Sequence, residues 1–138
     1  MTLVIGVIEY PVADEADLTA AVIGVGRWGE EAGCGGVLKS KIMTIVSELG
    51  RNILKYAGTG RIRCDHTRGQ ENRGVEIVVT DQGPGIEDVD AALSDHYSTS
   101  GTLGLGLPGV RRMVDEFDLQ SEPGGGTTVT VRLWIDES

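Results

Sequence analysis

Two glycine clusters limit what this chain can fold into: Asp81-Gln-Gly83-Pro-Gly85 and Gly104-Leu-Gly106-Leu-Pro-Gly109. Residues 86–103, between them, are too polar and turn-rich to form a core element. The first cluster follows a strand-like run, Val75 to Thr80, and the second leads into a helical pattern starting near Leu107. Glycine permits positive φ and close approach of main chain to a ligand. Successive N–H groups at a loop-to-helix junction form an anion site, which the helix dipole strengthens. A strand ending in a carboxylate and then glycines suggests a bound group whose polar edge is read by Asp81. The arrangement implies a nucleotide pocket with a lid, and the rest of the chain must supply any metal ligand and catalytic base.

Glycine is abundant overall, 21 of 138 residues, about twice the usual share. The glycines cluster rather than repeat, which excludes a collagen-like or low-complexity chain. One domain spanning 1–138 is expected, long enough to bury roughly two-thirds of its unfolded surface. Aromatic residues make up only 4%, so Val, Ile and Leu must fill the core. A net charge of −9 argues against nucleic acid, whose binding rests on clustered Lys and Arg, but not against ATP. Cys34 and Cys64 have no metal-like spacing and are expected to be reduced thiols. No apolar run is long enough for a membrane span and no signal-like N-terminus is visible, so a cytoplasmic protein is expected.

Leu3 to Glu9 reads as a strand closed by Pro11. Asp14 is a candidate cap for a helix running to about Glu31, with Leu18, Ala21, Val22, Val25 and Trp28 on one face. Gly24, Gly26 and Gly29 each weaken that helix by roughly 1 kcal/mol relative to alanine, and could let another element approach closely. Val37 to Ala57 carries the strongest helical stripe: Leu38, Ile42, Ile45, Leu49, Ile53 and Tyr56. Arg61–Thr67 and Gly74–Thr80 read as a hairpin, Leu107–Phe117 as a short helix, and Leu119–Glu122 and Thr127–Trp134 as closing strands. Thr128, Thr130 and Arg132 alternate with Val129, Val131 and Leu133, the pattern of an antiparallel strand with one wet face. The order predicts an α+β fold, a sheet with helices on one face.

On the strong helix, Glu48 and Asn52 lie one turn apart on a shared face. A carboxylate and an amide oxygen there could be a solvated face, or a proton acceptor and a Mg²⁺ ligand. Nucleotide-bound magnesium needs only one or two protein oxygens. Asp81 ends a buried strand, either capping its own loop or accepting a hydrogen bond from a ligand. Gly104-x-Gly106-x-x-Gly109 matches the dinucleotide fingerprint in form, but Ser98-Thr-Ser-Gly-Thr102 precedes it instead of a strand, which excludes a Rossmann reading.

Glu48-x-x-x-Asn52, Asp81-x-Gly83-x-Gly85 and Gly104-x-Gly106-x-x-Gly109, in this order, resemble the N box and the two glycine boxes of the GHKL ATPase superfamily. That superfamily includes gyrase, the Hsp90 chaperone, the histidine kinases and MutL. More particularly, Ser47-Glu-Leu-Gly-Arg-Asn-Ile53, Tyr56-Ala-Gly58, Asp81-Gln-Gly-Pro-Gly-Ile86, Ser98-Thr-Ser-Gly101, Gly104-Leu-Gly-Leu-Pro-Gly-Val110 and Met113-Val-Asp-Glu-Phe117 resemble the RsbT-type bacterial serine/threonine kinases. The likeness runs from about residue 14 to Trp134.

The resemblance implies a Bergerat-type two-layer α/β sandwich, with a mixed, mostly antiparallel sheet and ATP between helices and lid. It implies Asn52 as Mg²⁺ ligand, Glu48 as general base and Asp81 as acceptor for the adenine amino group, with Thr127 assisting. Gly83 and Gly85 would pass close to base and ribose, and Gly104, Gly106 and Gly109 would hold the phosphates under a lid at 86–103. The implied substrate is a serine or threonine on a STAS-domain antagonist in stress signalling, and the implied downstream partner a PP2C-type phosphatase. His96 falls in the lid, but no dimerising phosphoacceptor helix accompanies it, so a two-domain histidine kinase is not expected. Two other readings are an anti-sigma factor kinase that holds a sigma factor, and a binding module in which nucleotide only sets the lid.

Overall fold

A computed structural model describes residues 6–68, 73–86, 93 and 106–135. The order is β1 (Ile8–Val12), α1 (Glu15–Glu31), α2 (Gly36–Asn52), a π-helical turn (Ile53–Ala57), β2 (Gly60–Arg68), β3 (Arg73–Asp81), α3 (Gly106–Met113), β4 (Glu116–Ser121) and β5 (Thr127–Trp134). The strands form one sheet in the order β1-β2-β3-β5-β4. Each of its four pairings is antiparallel. The α+β expectation holds, but among the described strands the sheet is wholly antiparallel rather than mixed.

Alternation assigns the two faces of the sheet. Ile62 and Cys64 on β2, Val75, Ile77 and Val79 on β3, and Val129, Val131 and Leu133 on β5 are all buried. They share one core with Leu18, Ala21, Val25 and Trp28 of α1 and with Ile42, Ile45, Val46 and Leu49 of α2. Fully burying one such side chain contributes about 1.5–3 kcal/mol, so the apolar faces of the helices have one favourable place to go. The opposite sheet face is polar and carries ion pairs, among them Arg132 with Glu76 at 2.8 Å and with Glu116 at 3.4 Å.

Asp14 caps α1 as its position suggests: its Oδ1 accepts from the Asp17 amide at 2.8 Å. The α1 glycines are contact points. A Cβ on Gly24 would collide with the Tyr10 ring, one on Gly26 would lie 2.7 Å from Met43 Sδ, and one on Gly29 2.6 Å from Ile42 Cδ1. Small residues there let β1 and α2 pack close against α1. The Arg73 guanidinium donates to Ala32 O at 3.2 Å, tying the end of α1 to the start of β3.

Three boundaries differ from expectation. The first described strand is Ile8–Val12 and runs through Pro11. It is an edge strand paired only to β2, where a residue lacking an N–H is tolerated. The helix expected to reach Phe117 ends at Met113. Asp115 N donates to Arg132 O at 3.0 Å, and Asp115 Oδ2 accepts from Trp134 N at 2.8 Å, so the chain turns there to pair with β5. Phe117 is consequently in β4, opposite Val131.

Candidate functional site

The site is assembled from the C-terminal half of α2, the loop after β3, the start of β5 and the start of α3. Glu48 and Asn52 belong to the last two turns of α2, and both are partly buried. The Glu48 side chain is 13% exposed and among the described residues is paired with Arg51, 3.8 Å away and itself largely in solvent. Charge pairs at that distance and exposure are weak, so Arg51 leaves the carboxylate essentially unclaimed. The Asn52 side chain has no protein hydrogen-bond partner among the described residues.

After Asn52 the helix widens into the π-helical turn, and Gly58, at φ +88°, ends it. Such turns insert an extra residue into an α-helix and recur at functional sites. Here the turn brings Ala57 under the loop after β3. A Cβ on Gly83 would lie 2.6 Å from the Ala57 Cβ and 3.2 Å from Asp81 Oδ1, so only glycine lets the loop settle onto the end of the helix.

Asp81 is the last residue of β3, opposite Gly60 on one side and Thr127 on the other. Its Oδ1 accepts from Gly83 N at 2.9 Å. The bland reading of Asp81 as a loop cap is therefore true of one oxygen. Asp81 makes no ion pair among the described residues, and its Oδ2 has no protein donor there, which leaves it for a ligand.

Gly85 lies at φ +79°, and a Cβ there would collide with the Glu122 carbonyl. The loop is also fastened by Gly124 N donating to Pro84 O at 2.6 Å. Gly126, at φ +81°, leaves no room for a Cβ beside the Asp81 carbonyl. The turn between β4 and β5 thus braces the loop that carries Gly83 and Gly85.

Sequence reasoning missed Ser121. Its hydroxyl accepts from Ile86 N at 2.7 Å, donates to Gly126 O at 3.0 Å and lies 2.8 Å from Thr127 Oγ1. Ser121 therefore fixes both the exit of the Asp81 loop and the hydroxyl of Thr127. A lone serine at a strand end has no periodicity or spacing to mark it. Gly106 opens α3 at φ +65°, and Gly109 is buried in its first turn. Gly104 and the expected lid, including His96, lie outside the described residues apart from Ile86 and Leu93.

These residues fit a nucleotide. One carboxylate oxygen is free beside a backbone loop too tight for side chains, and a helix start with glycines supplies N–H donors. Among the described residues no group of three or more His, Cys, Asp or Glu could hold a metal. The cysteines take no part. Both are free thiols, as expected. Burial pushes the Cys64 thiol up to about 12 and raises Cys34 as well, the latter opposed by Arg73. No described helix is long and apolar enough to cross a membrane.

Residues 38–137 match the family of histidine kinase-, DNA gyrase B- and HSP90-like ATPases. The serine/threonine-protein kinase RsbT of Bacillus subtilis is 45% identical over 106 residues, 77% of this chain and 80% of that protein. An anti-sigma F factor of Caldanaerobacter subterraneus subsp. tengcongensis is 32% identical over 99 residues, 68% of each chain. Among solved structures, the RsbU and RsbW domains of a Mycobacterium tuberculosis protein share the fold, with TM-score 0.68 at 16% identity. That likeness covers 96% of this chain and 33% of the longer one. The chain therefore belongs to the histidine kinase-, DNA gyrase B- and HSP90-like ATPases, in the branch of the RsbT-type serine/threonine-protein kinases.

Proposed function

We propose that this protein transfers the γ-phosphoryl group of ATP to a serine or threonine of a STAS-domain antagonist, and thereby acts as a partner-switching regulator. The observation that carries the reading is the partly buried carboxylate of Glu48, paired at 3.8 Å with a solvent-exposed Arg51, one helical turn before an Asn52 amide that has no hydrogen-bond partner among the described residues. Phosphoryl transfer asks the protein mainly for positioning and electrostatics, with a base near the attacking hydroxyl. Glu48 takes the hydroxyl proton in this reading. Asn52 is the protein ligand of a nucleotide-borne Mg²⁺, which would neutralise developing charge on the phosphates. Asp81 accepts from the adenine amino group, with Thr127 beside it. Gly83 and Gly85 keep the loop close to the base, and Gly104, Gly106 and Gly109 present amides to the phosphates. Phosphorylation of the antagonist releases this protein to activate a PP2C-type phosphatase downstream.

Transfer from γ-labelled ATP to a panel of STAS-domain proteins tests this. Label is expected on one partner with wild type, and a fall of about 10²–10⁴-fold with Glu48→Gln, while both proteins bind Mg-ATP equally. Equal transfer by the variant would remove Glu48 from the base role. Mg-ATP binding with no transfer by wild type would leave a nucleotide-gated binding module.

The anti-sigma F relative favours a second reading, in which the same site sits in a protein that also holds a sigma factor. Co-purification of a stoichiometric sigma factor is the outcome that selects it.

A further inference from the structure

An open groove of about 580 Å³ lies on α2 outside the nucleotide site, lined by Gly36, Val37, Ser40, Lys41, Thr44 and Met113. Its position gives it meaning. Thr44 is one turn before Glu48 on the same side of α2, which puts it about 6 Å along the helix axis from the candidate base. Met113 comes from α3, the helix whose other end carries Gly106. The groove is therefore built by the same two helices that would hold the phosphates and the base, and its Thr44 end lies one helical turn from Glu48.

Its chemistry is specific. Val37 is 76% exposed, the most exposed large hydrophobic side chain among the described residues. No carboxylate is among the described residues that line the groove, in a chain of net charge −9. Lys39 pairs with Glu30, whereas Lys41 is exposed and has no ion pair among the described residues.

We propose that this groove seats the protein substrate, accepting an apolar side chain with a neighbouring carboxylate on the surface that carries the phosphoacceptor hydroxyl. The proposal rests on the kinase reading above. Two arguments select this occupant. Thr44 of the groove lies one helical turn from Glu48, and Lys41, the one cation among the described lining residues, is complementary to an acidic surface. A second copy of this chain would bring another −9 against the first, which long-range repulsion disfavours.

The test uses the STAS-domain protein that accepts label from wild type, with Val37→Asp and Lys41→Glu compared in steady state. Both residues are exposed, so folding is not at stake. Each substitution should raise KM for the protein substrate by about tenfold, as loss of one anchor or reversal of one interfacial charge does. kcat and ATP affinity should stay where they are. Exchanging a surface carboxylate beside the phosphoacceptor for lysine should restore KM with Lys41→Glu and not with Val37→Asp. An unchanged KM overturns the proposal. So does a change in ATP affinity, which would assign the groove to the chain's own residues 87–105, or a change in sedimentation mass, which would assign it to a second copy. Failure of wild type to phosphorylate any partner removes the kinase reading itself, and the proposal with it.

Discussion

Asp81 commits one carboxylate oxygen to its own loop and has no donor to the other among the described residues. Oδ1 is held by Gly83 N, so the side chain cannot rotate freely. Asp81→Asn keeps the shape but can present an amide NH₂ where an acceptor is needed. A lost hydrogen bond to a charged group costs about 1.5–3 kcal/mol, so ATP affinity should fall roughly tenfold to a hundredfold. Calorimetric titration with Mg-ATP checks this, and unchanged affinity would take Asp81 out of adenine recognition. At this scale the sequence drew notice to Asp81 because an acid ending an apolar strand is unusual there, whereas Glu48 and Asn52 by themselves read equally as a solvated helix face. Ser121 is as well connected as any of these, but serine at a strand end is common and nothing separates it from the others.

Glycines make the elements fit, in two different ways. On α1, a Cβ at Gly29 would meet only the tip of Ile42, a flexible atom that can shift. Gly29→Ala should change stability by less than about 1 kcal/mol, because the gain in helix propensity of up to ~1 kcal/mol opposes mild overpacking. Gly85 combines positive φ with a backbone carbonyl in the way. Gly85→Ala should cost about 1–3 kcal/mol and weaken ATP binding, since the loop must move off the turn between β4 and β5. Urea denaturation of both variants separates the cases, and equal costs would refute the distinction. Element boundaries were legible where periodicity was unopposed, as on α1 and α2. They were misread where local pattern and tertiary pairing disagree. Val110, Met113 and Phe117 have helical spacing, but the Asp115 side chain and backbone bond to β5 and end the helix early. Pro11 looks like a strand stop until the strand proves to be an edge.

For the whole molecule, the buried thiol of Cys64 links stability to pH. Its pKa is raised to about 12 by burial, above that of the unfolded chain, about 8.5. The folded state therefore holds its proton more tightly, so its contribution is fully present below about pH 8.5 and is lost as pH rises toward 12. The slope is at most about 1.4 kcal/mol per pH unit. Cys64→Val keeps an apolar group in place and should abolish that slope. The difference in denaturation free energy between the two proteins, measured from pH 8 to 10.5, should therefore shift steadily in the variant's favour. A constant difference would mean the thiol ionises no differently in the folded chain. The layered architecture was readable because sheet strands alternate and helices carry stripes. The strand order β1-β2-β3-β5-β4 was not, since alternation fixes which face is buried but not which strand lies beside which.

The π-helical turn at Ile53–Ala57 has a consequence for how such a chain can change in length. Removing any one of its five residues would turn the chain that follows by about 100°, lifting Ala57 from beneath Gly83 while leaving Glu48 and Asn52 where they are. The ends of the candidate pocket would then be out of step by one residue, with both helix and sheet intact. Single-residue deletions should be harmful here even where every single substitution is tolerated. The turn therefore acts as a ruler between Glu48 and the loop after β3, and its residue count sets their relative position.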